Sequence, residues 1–199
     1  MNKMTVSGVV KNEPTLNHVA RGMEMYAFDM HVERASGVFD MIPCICNKII
    51  AEKVKLGELN SFAGEIHSRN EEIEGRRTCQ TFFIPYMETE NNEVGENEVL
   101  LKGFLCKKPI YRKTQLGKEV ADFLLAVNRK NGKSDYIHCI AWWDNAKAIS
   151  ECSVGDEVVI KGRFQSRKYN KTLPSGEVVE KNAYEVSANF IDKGCDIYE

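Results

Sequence analysis

One pattern, written twice, constrains this chain more than any other feature. Val6, Gly8, Pro14, Gly22, Phe28, Val32, Arg34, Asp40, Cys44 and Ile45 recur as Leu101, Gly103, Pro109, Gly117, Phe123, Val127, Arg129, Asp135, Cys139 and Ile140, each pair 95 positions apart. Ten matches in one gapless register are hard to reach by chance, and an internal repeat dictates architecture before any single element does. After a three-residue difference the register resumes: Gly57, Gly64, Ser68 and Arg69 recur as Gly155, Gly162, Ser166 and Arg167. The 199 residues are therefore expected to form two small units.

Each copy reads as strands with one short helix. In the second, 98–106 is a strand bent at Gly103, 109–118 a polar loop, and 119–129 an alternating strand. The Asn131-Gly132 pair marks a hairpin into a third strand at 135–142. Residues 144–151 suit a short helix capped by Asp144. A fourth strand at 157–164, a long hairpin containing Pro174 and Gly176, and a last strand at 183–191 complete the copy. Five strands with a helix between the third and fourth is the order of an OB-fold barrel. The expected fold is all-β: two tandem five-stranded OB-fold barrels, each with a short helix between strands 3 and 4. The expected divisions are 1–87, an acidic linker at 88–96, 97–193, and a short acidic tail at 194–199.

The third strand of the second copy carries the functional signal. Ile137, Cys139 and Ala141 fall on one face, small and apolar as a core face should be. Tyr136, His138, Ile140 and Trp142 fall on the other. Rings on an exposed strand face suit stacking on unpaired bases, because every base has a π-face. The competing reading is that Tyr136 and Trp142 cap a core. His138 could bond a base or phosphate, or do nothing. Tyr111 is a weaker candidate, and Trp143, on the opposite face, reads as a packing residue.

Charge is divided as unevenly as the rings. The chain total is −2, but residues 1–96 carry −5, residues 97–193 carry +5, and the last six carry −2. A near-neutral total thus hides a basic half, the electrostatic footprint of a polyanion binder. Arg112, Lys113, Arg129, Lys133, Arg163, Arg167 and Lys168 would line a basic groove.

These residues carry a resemblance. Asn97-x-Val99-x-Leu101-x-Gly103, Pro109-x-x-Arg112-x-Thr114-x-x-Gly117, Ala121-Asp-Phe123-x-Leu125-Ala-Val-Asn-Arg129, Gly155-Asp-x-Val158-x-Ile160-x-Gly162-Arg163 and Ser166-Arg-Lys-Tyr169 together resemble bacterial single-stranded DNA-binding protein. The resemblance covers nearly all of the second half. It implies base-stacking roles for Tyr136, Trp142 and Tyr169, and phosphate contacts from Arg112, Arg167 and Lys168. It implies passive, sequence-tolerant binding of single-stranded DNA in replication, recombination or repair. Because the family assembles four OB domains, it also implies a homodimer of this two-barrel chain. Phe190–Glu199 does not match the family's usual Gly/Pro/Gln-rich tail with an acidic Pro-Phe tip, so tail-mediated recruitment is not expected. A primosome-type accessory or assembly module using its barrels for protein contacts is the alternative.

The repeat register predicts a division of labour. Tyr136, Trp142 and Arg112 correspond to Met41, Asn47 and Asn17, and Tyr169 to Glu71. The first copy's hairpin, 70–75, is rich in carboxylates that would repel phosphate. The first unit is thus expected to scaffold and dimerise, unless it binds through Arg21, His31 and Arg34 instead.

No nucleophile elbow, phosphate loop, zinc motif or dinucleotide fingerprint is present, so no enzymatic activity, cofactor or small-molecule substrate is expected. Cys44-Ile-Cys46 is too tight for a C-x-x-C ligand pair, and His18, His31 and His67 are scattered. With neither a signal-peptide pattern nor a long apolar run, a cytoplasmic protein without membrane contact is expected.

Overall fold

The computed structural model describes residues 1–73, 76–90, 93–173 and 176–193, with only the backbone described at 72, 73, 76 and 77. The first repeat forms β1 (Asn2–Val10), β2 (Thr15–Ala20), β3 (Met23–Glu33), β4 (Phe39–Asn47), α1 (Lys48–Ala51), β5 (Leu59–Ile73) and β6 (Arg76–Glu88). The second forms β7 (Asn97–Leu105), β8 (Ile110–Lys113), β9 (Glu119–Asn128), β10 (Ser134–Trp142), α2 (Asp144–Ser150), β11 (Glu157–Thr172) and β12 (Val178–Lys193).

Alternation drives each repeat into a closed ring. In β9 the inward row is Ala121, Phe123, Leu125 and Val127, and in β10 it is Ile137, Cys139 and Ala141. Paired antiparallel, the two rows fall on one side of the sheet, where Phe164 and Val186 of β11 and β12 meet them. Burying each large apolar side chain contributes about 1.5–3 kcal/mol. Pairing runs β7–β9–β10–β12–β11 and back to β7, and the parallel step β10–β12 completes the ring. The first repeat closes likewise through β1, β3, β4, β6 and β5 around Phe28, Met30, Phe62 and Phe83. Among the described residues no helix is long and apolar enough to cross a membrane.

Local structure departs from expectation in three places. The stretch 109–118 is not wholly a polar loop. Ile110–Lys113 pairs with β9 as an extra edge strand, and Thr15–Ala20 does the same on β3. Both hairpins fold back on a turn, and at Gly117 (φ 75°) the turn needs the left-handed backbone that glycine adopts freely. Asp144 is not the cap of α2. Trp143 holds the cap position at φ 55°, and Asp144 sits in the first turn, where a carboxylate suits the helix dipole. The long hairpin is largely strand, because β11 and β12 stay paired out to Thr172 and Val178. Its expected tip at 174–175, the first-copy tip at 74–75, part of the linker at 91–92 and the tail at 194–199 lie outside the described residues.

The two rings are joined edge to edge. β1 pairs antiparallel with β7, Asn2 opposite Leu101 through Val6 opposite Asn97, so all twelve strands form one sheet. Met4 faces Val99, its own counterpart in the repeat, at the centre of the pairing. The repeats are therefore related by a local twofold. Each repeat also carries a bulge at the same place, Ala63/Gly64 and Lys161/Gly162. A Cβ on Gly162 would lie 2.2 Å from the Ser187 carbonyl oxygen, which cannot retreat without breaking the β11–β12 ladder. Gly162→Ala is expected to cost about 1–3 kcal/mol, the usual range for overpacking, read as a lower urea midpoint at unchanged slope.

Candidate nucleic-acid interface

β10 presents its outer face as the alternation requires. Tyr136 and His138 are exposed, while Ile140 is buried and Trp142 half-buried. Beside Trp142, the β8–β9 hairpin projects Arg112, whose Nη2 donates to Asp122 Oδ2 at 2.7 Å. Across from it the β11–β12 ribbon carries Arg167, Lys168 and Tyr169, all exposed. Together these elements wall a cleft of about 1250 Å³ that includes Arg112, Trp142, Arg163, Arg167 and Lys168. A second cleft of about 570 Å³ includes His138, Arg167 and Tyr169. Arg167, Asp122, Asn182 and Glu185 belong to both, so the clefts meet.

Seven of the eleven candidate residues thus come together, and four stand apart. Lys113 projects from β8 toward Glu119, 3.5 Å away, and Lys133 is exposed at the Asn131-Gly132 turn. Tyr136 is 44% exposed, but its backbone is held against the first repeat: its N–H donates to Ser68 Oγ at 2.7 Å. Arg129 departs furthest from the groove. Its guanidinium grips Asp135, which is fully buried, and donates to the Ser68 carbonyl at 3.1 Å. Arg163 reaches the same kind of seam, 3.4 Å from Asp40 Oδ2, and burial followed by the neighbouring Arg34 charge lowers its pKa.

The seam itself escaped the sequence reading. Asp40 Oδ1 accepts from Ser166 N at 2.8 Å, and Met41 N donates to Ser166 Oγ at 2.8 Å. Asp135 Oδ1 accepts from Ser68 N at 2.5 Å in the mirrored contact. Arg34–Asp40 and Arg129–Asp135 are the matching ion pairs. The signal was available: Arg, Asp and Ser at these places are identical in both copies. A twofold seam needs the same polar group on each side, whereas a groove needs it on only one.

The sequence also missed the groove's carboxylates and its far wall. Glu180 takes Lys168 at 2.8 Å, and Glu185 accepts from Gln165 at 2.9 Å and lies 3.8 Å from Arg167. The exposed Lys168–Glu180 pair is worth about 0–1 kcal/mol, so phosphate can displace it, whereas Glu185 is buried. His31, Arg34, Val38, Phe39 and Met41 of the first repeat complete the larger cleft. Trp143 is 53% exposed rather than packed, and its backbone holds the cap position of α2 at φ 55°.

The first repeat's counterparts are engaged locally. Asn47 Oδ1 accepts from Ile50 N at 3.0 Å and caps α1. Asn17 accepts from His18 Nδ1 at 2.7 Å, and Glu71 pairs with Arg69. The side chains of 72–77, including the carboxylates and arginines of that hairpin, lie outside the described residues.

Comparison with known proteins decides the family. The sequence profile of the Single-strand binding protein family matches residues 96–193. Single-stranded DNA-binding protein B of Bacillus subtilis is 40% identical over 80 residues, 37% of this chain and 71% of that protein. This chain belongs to the single-strand binding protein family. Single-stranded DNA-binding protein 3 of Listeria innocua is also 40% identical over 80 residues, which cover 37% of this chain but 50% of that protein. The chain thus spans about half the length of several curated relatives. Wild-type single-stranded DNA binding protein from Thermus aquaticus superposes with a TM-score of 0.75 at 20% identity, covering 100% of this chain and 95% of that one. The fold of this family member, over the described residues, is therefore that of two OB barrels in tandem.

Proposed function

We propose that this family member binds single-stranded DNA with little sequence preference, protecting it during replication, recombination or repair. The observation that carries the reading is the joined cleft, which brings the rings of Trp142 and Tyr169 together with Arg112, Arg163, Arg167 and Lys168. Rings take base faces and cations track the backbone, so binding is passive and involves no catalysis. The site belongs mainly to the second repeat, while the first supports it through the seam. Two such chains pairing as a cytoplasmic homodimer would present four barrels, in keeping with the twofold logic of closed assemblies.

The test is a fluorescence titration with oligo-dT of about thirty nucleotides, longer than the ~4–16 nucleotide site of one OB fold. With three to five cations on phosphates, log K against log salt should fall with a slope of about −2 to −3.5. A slope near zero would remove the basic groove from the reading. Light scattering at micromolar protein should give twice the chain mass, and a monomer mass would refute the homodimer.

A further inference from the structure

The larger cleft is not made by one repeat. Its far wall is the β3–β4 hairpin of the first, where Phe39 is 55% exposed and lies on the same cleft as Trp142. We propose that Phe39 is a base-stacking ring that the first repeat supplies to the strand held in the second repeat's groove. The proposal rests on the single-stranded DNA reading above and extends it to the unit whose own counterparts of Trp142 and Arg112 are Asn47 and Asn17.

Three observations point to Phe39. The first is its rigidity. The next residue, Asp40, accepts from Ser166 N at 2.8 Å, and Met41 N donates to Ser166 Oγ at 2.8 Å. The hairpin is thereby pinned to β11, the strand that carries Arg167 and Lys168. With the backbone held this way, only the ring's own side-chain torsions remain to be fixed on stacking.

The second is a cation beside it. Lys11 Nζ lies 5.9 Å from the Phe39 ring centre, within cation–π range. Ring and ammonium side by side repeat the pairing of stacking surface and phosphate contact proposed across the cleft for Trp142 and Arg112.

The third is the direction in which the copies have diverged. In the repeat register Phe39 corresponds to Ser134, and Lys11 to Cys106. The local twofold sets the first repeat's hairpin against the second repeat's groove. The ring and cation therefore occur only in the copy that faces Trp142. An exposed phenyl kept for packing would have no reason to follow that division. An isolated exposed apolar residue is ordinary, but one fixed on the wall of an aromatic and basic cleft is not isolated.

The experiment uses the full chain and oligo-dT of about thirty nucleotides. Phe39→Ala and Phe39→Ser are expected to weaken binding about fivefold or more, and Phe39→Trp to restore it, as stacking requires. Urea midpoints should match the parent, because the ring is exposed. An oligonucleotide carrying 5-iodouracil should photocrosslink to the peptide bearing Phe39. If Phe39→Ala binds like the parent while Trp142→Ala is weakened, the proposal fails and the groove reading stands. Crosslinks confined to 97–193 have the same meaning. A parent protein that does not bind oligo-dT overturns both.

Discussion

Asp135→Ala is expected to destabilise the protein by about 3–5 kcal/mol, the usual result of removing one partner from a buried ion pair. Asp135 is 0% exposed and accepts from Arg129 Nε at 2.6 Å, from Arg129 Nη2, and from Ser68 N at 2.5 Å. Truncation leaves a half-buried guanidinium without its counter-charge and a backbone N–H without an acceptor. The damage would not stay local, because Ser68 belongs to the other repeat. Loosening this contact frees β5 from β10 and disturbs both clefts. Asp40→Ala should behave alike, since Asp40 is 1% exposed and holds Arg34 and Ser166 in the mirrored seam. Urea unfolding would measure both, as a lowered midpoint. A loss below about 1 kcal/mol for Asp135→Ala would mean that the seam is wetter and weaker than its geometry implies.

Trp142→Ala is expected to weaken oligo-dT binding by about 1–3 kcal/mol, roughly 5- to 150-fold, the range seen for base–aromatic stacking in single-strand binders of this kind. Trp142 ends β10 opposite Val120 and lines the larger cleft with its side chain half-buried. That burial means that alanine will also cost some stability, so the comparison needs Trp142→Phe, which keeps a ring to stack. Binding retained by phenylalanine and lost by alanine identifies stacking. Equal binding by alanine and the parent would remove Trp142 from the interface. The indole should also be quenched on binding in the parent, which gives a readout independent of affinity.

These expectations differ in how they could be reached. Arg112, Arg167, Lys168 and Tyr169 entered through the basic charge of the second half and the family resemblance, whereas Trp142's place on the outer face of β10 was legible in the chain, because alternation within one strand tells which side chains share a face. Arg129 was misplaced for the opposite reason. An arginine two residues before an Asn-Gly turn looks like a surface cation, and nothing local shows that Asp135 and the Ser68 carbonyl take its hydrogen bonds. Trp143 was misread because a positive φ at a tryptophan has no sequence signature. Glu180 and Glu185 meet Lys168 and Arg167 only because β11 and β12 are paired, and no local pattern marks them.

The sequence alone determined what depends on short range and on self-similarity. Period-two alternation specified most of the strands, glycines marked turns, and a gapless 95-residue register required two copies of one barrel. Loss of rings and of arginine in the first copy's register was equally plain, since it needs only comparison of the chain with itself. The tertiary structure decided how the copies face each other. Ser166 bonds a carboxylate 126 residues away and Phe39 shares a cleft with Trp142, contacts that no local pattern encodes. They arise because β1 and β7 pair edge to edge, and that pairing turns one repeat's hairpin toward the other repeat's groove.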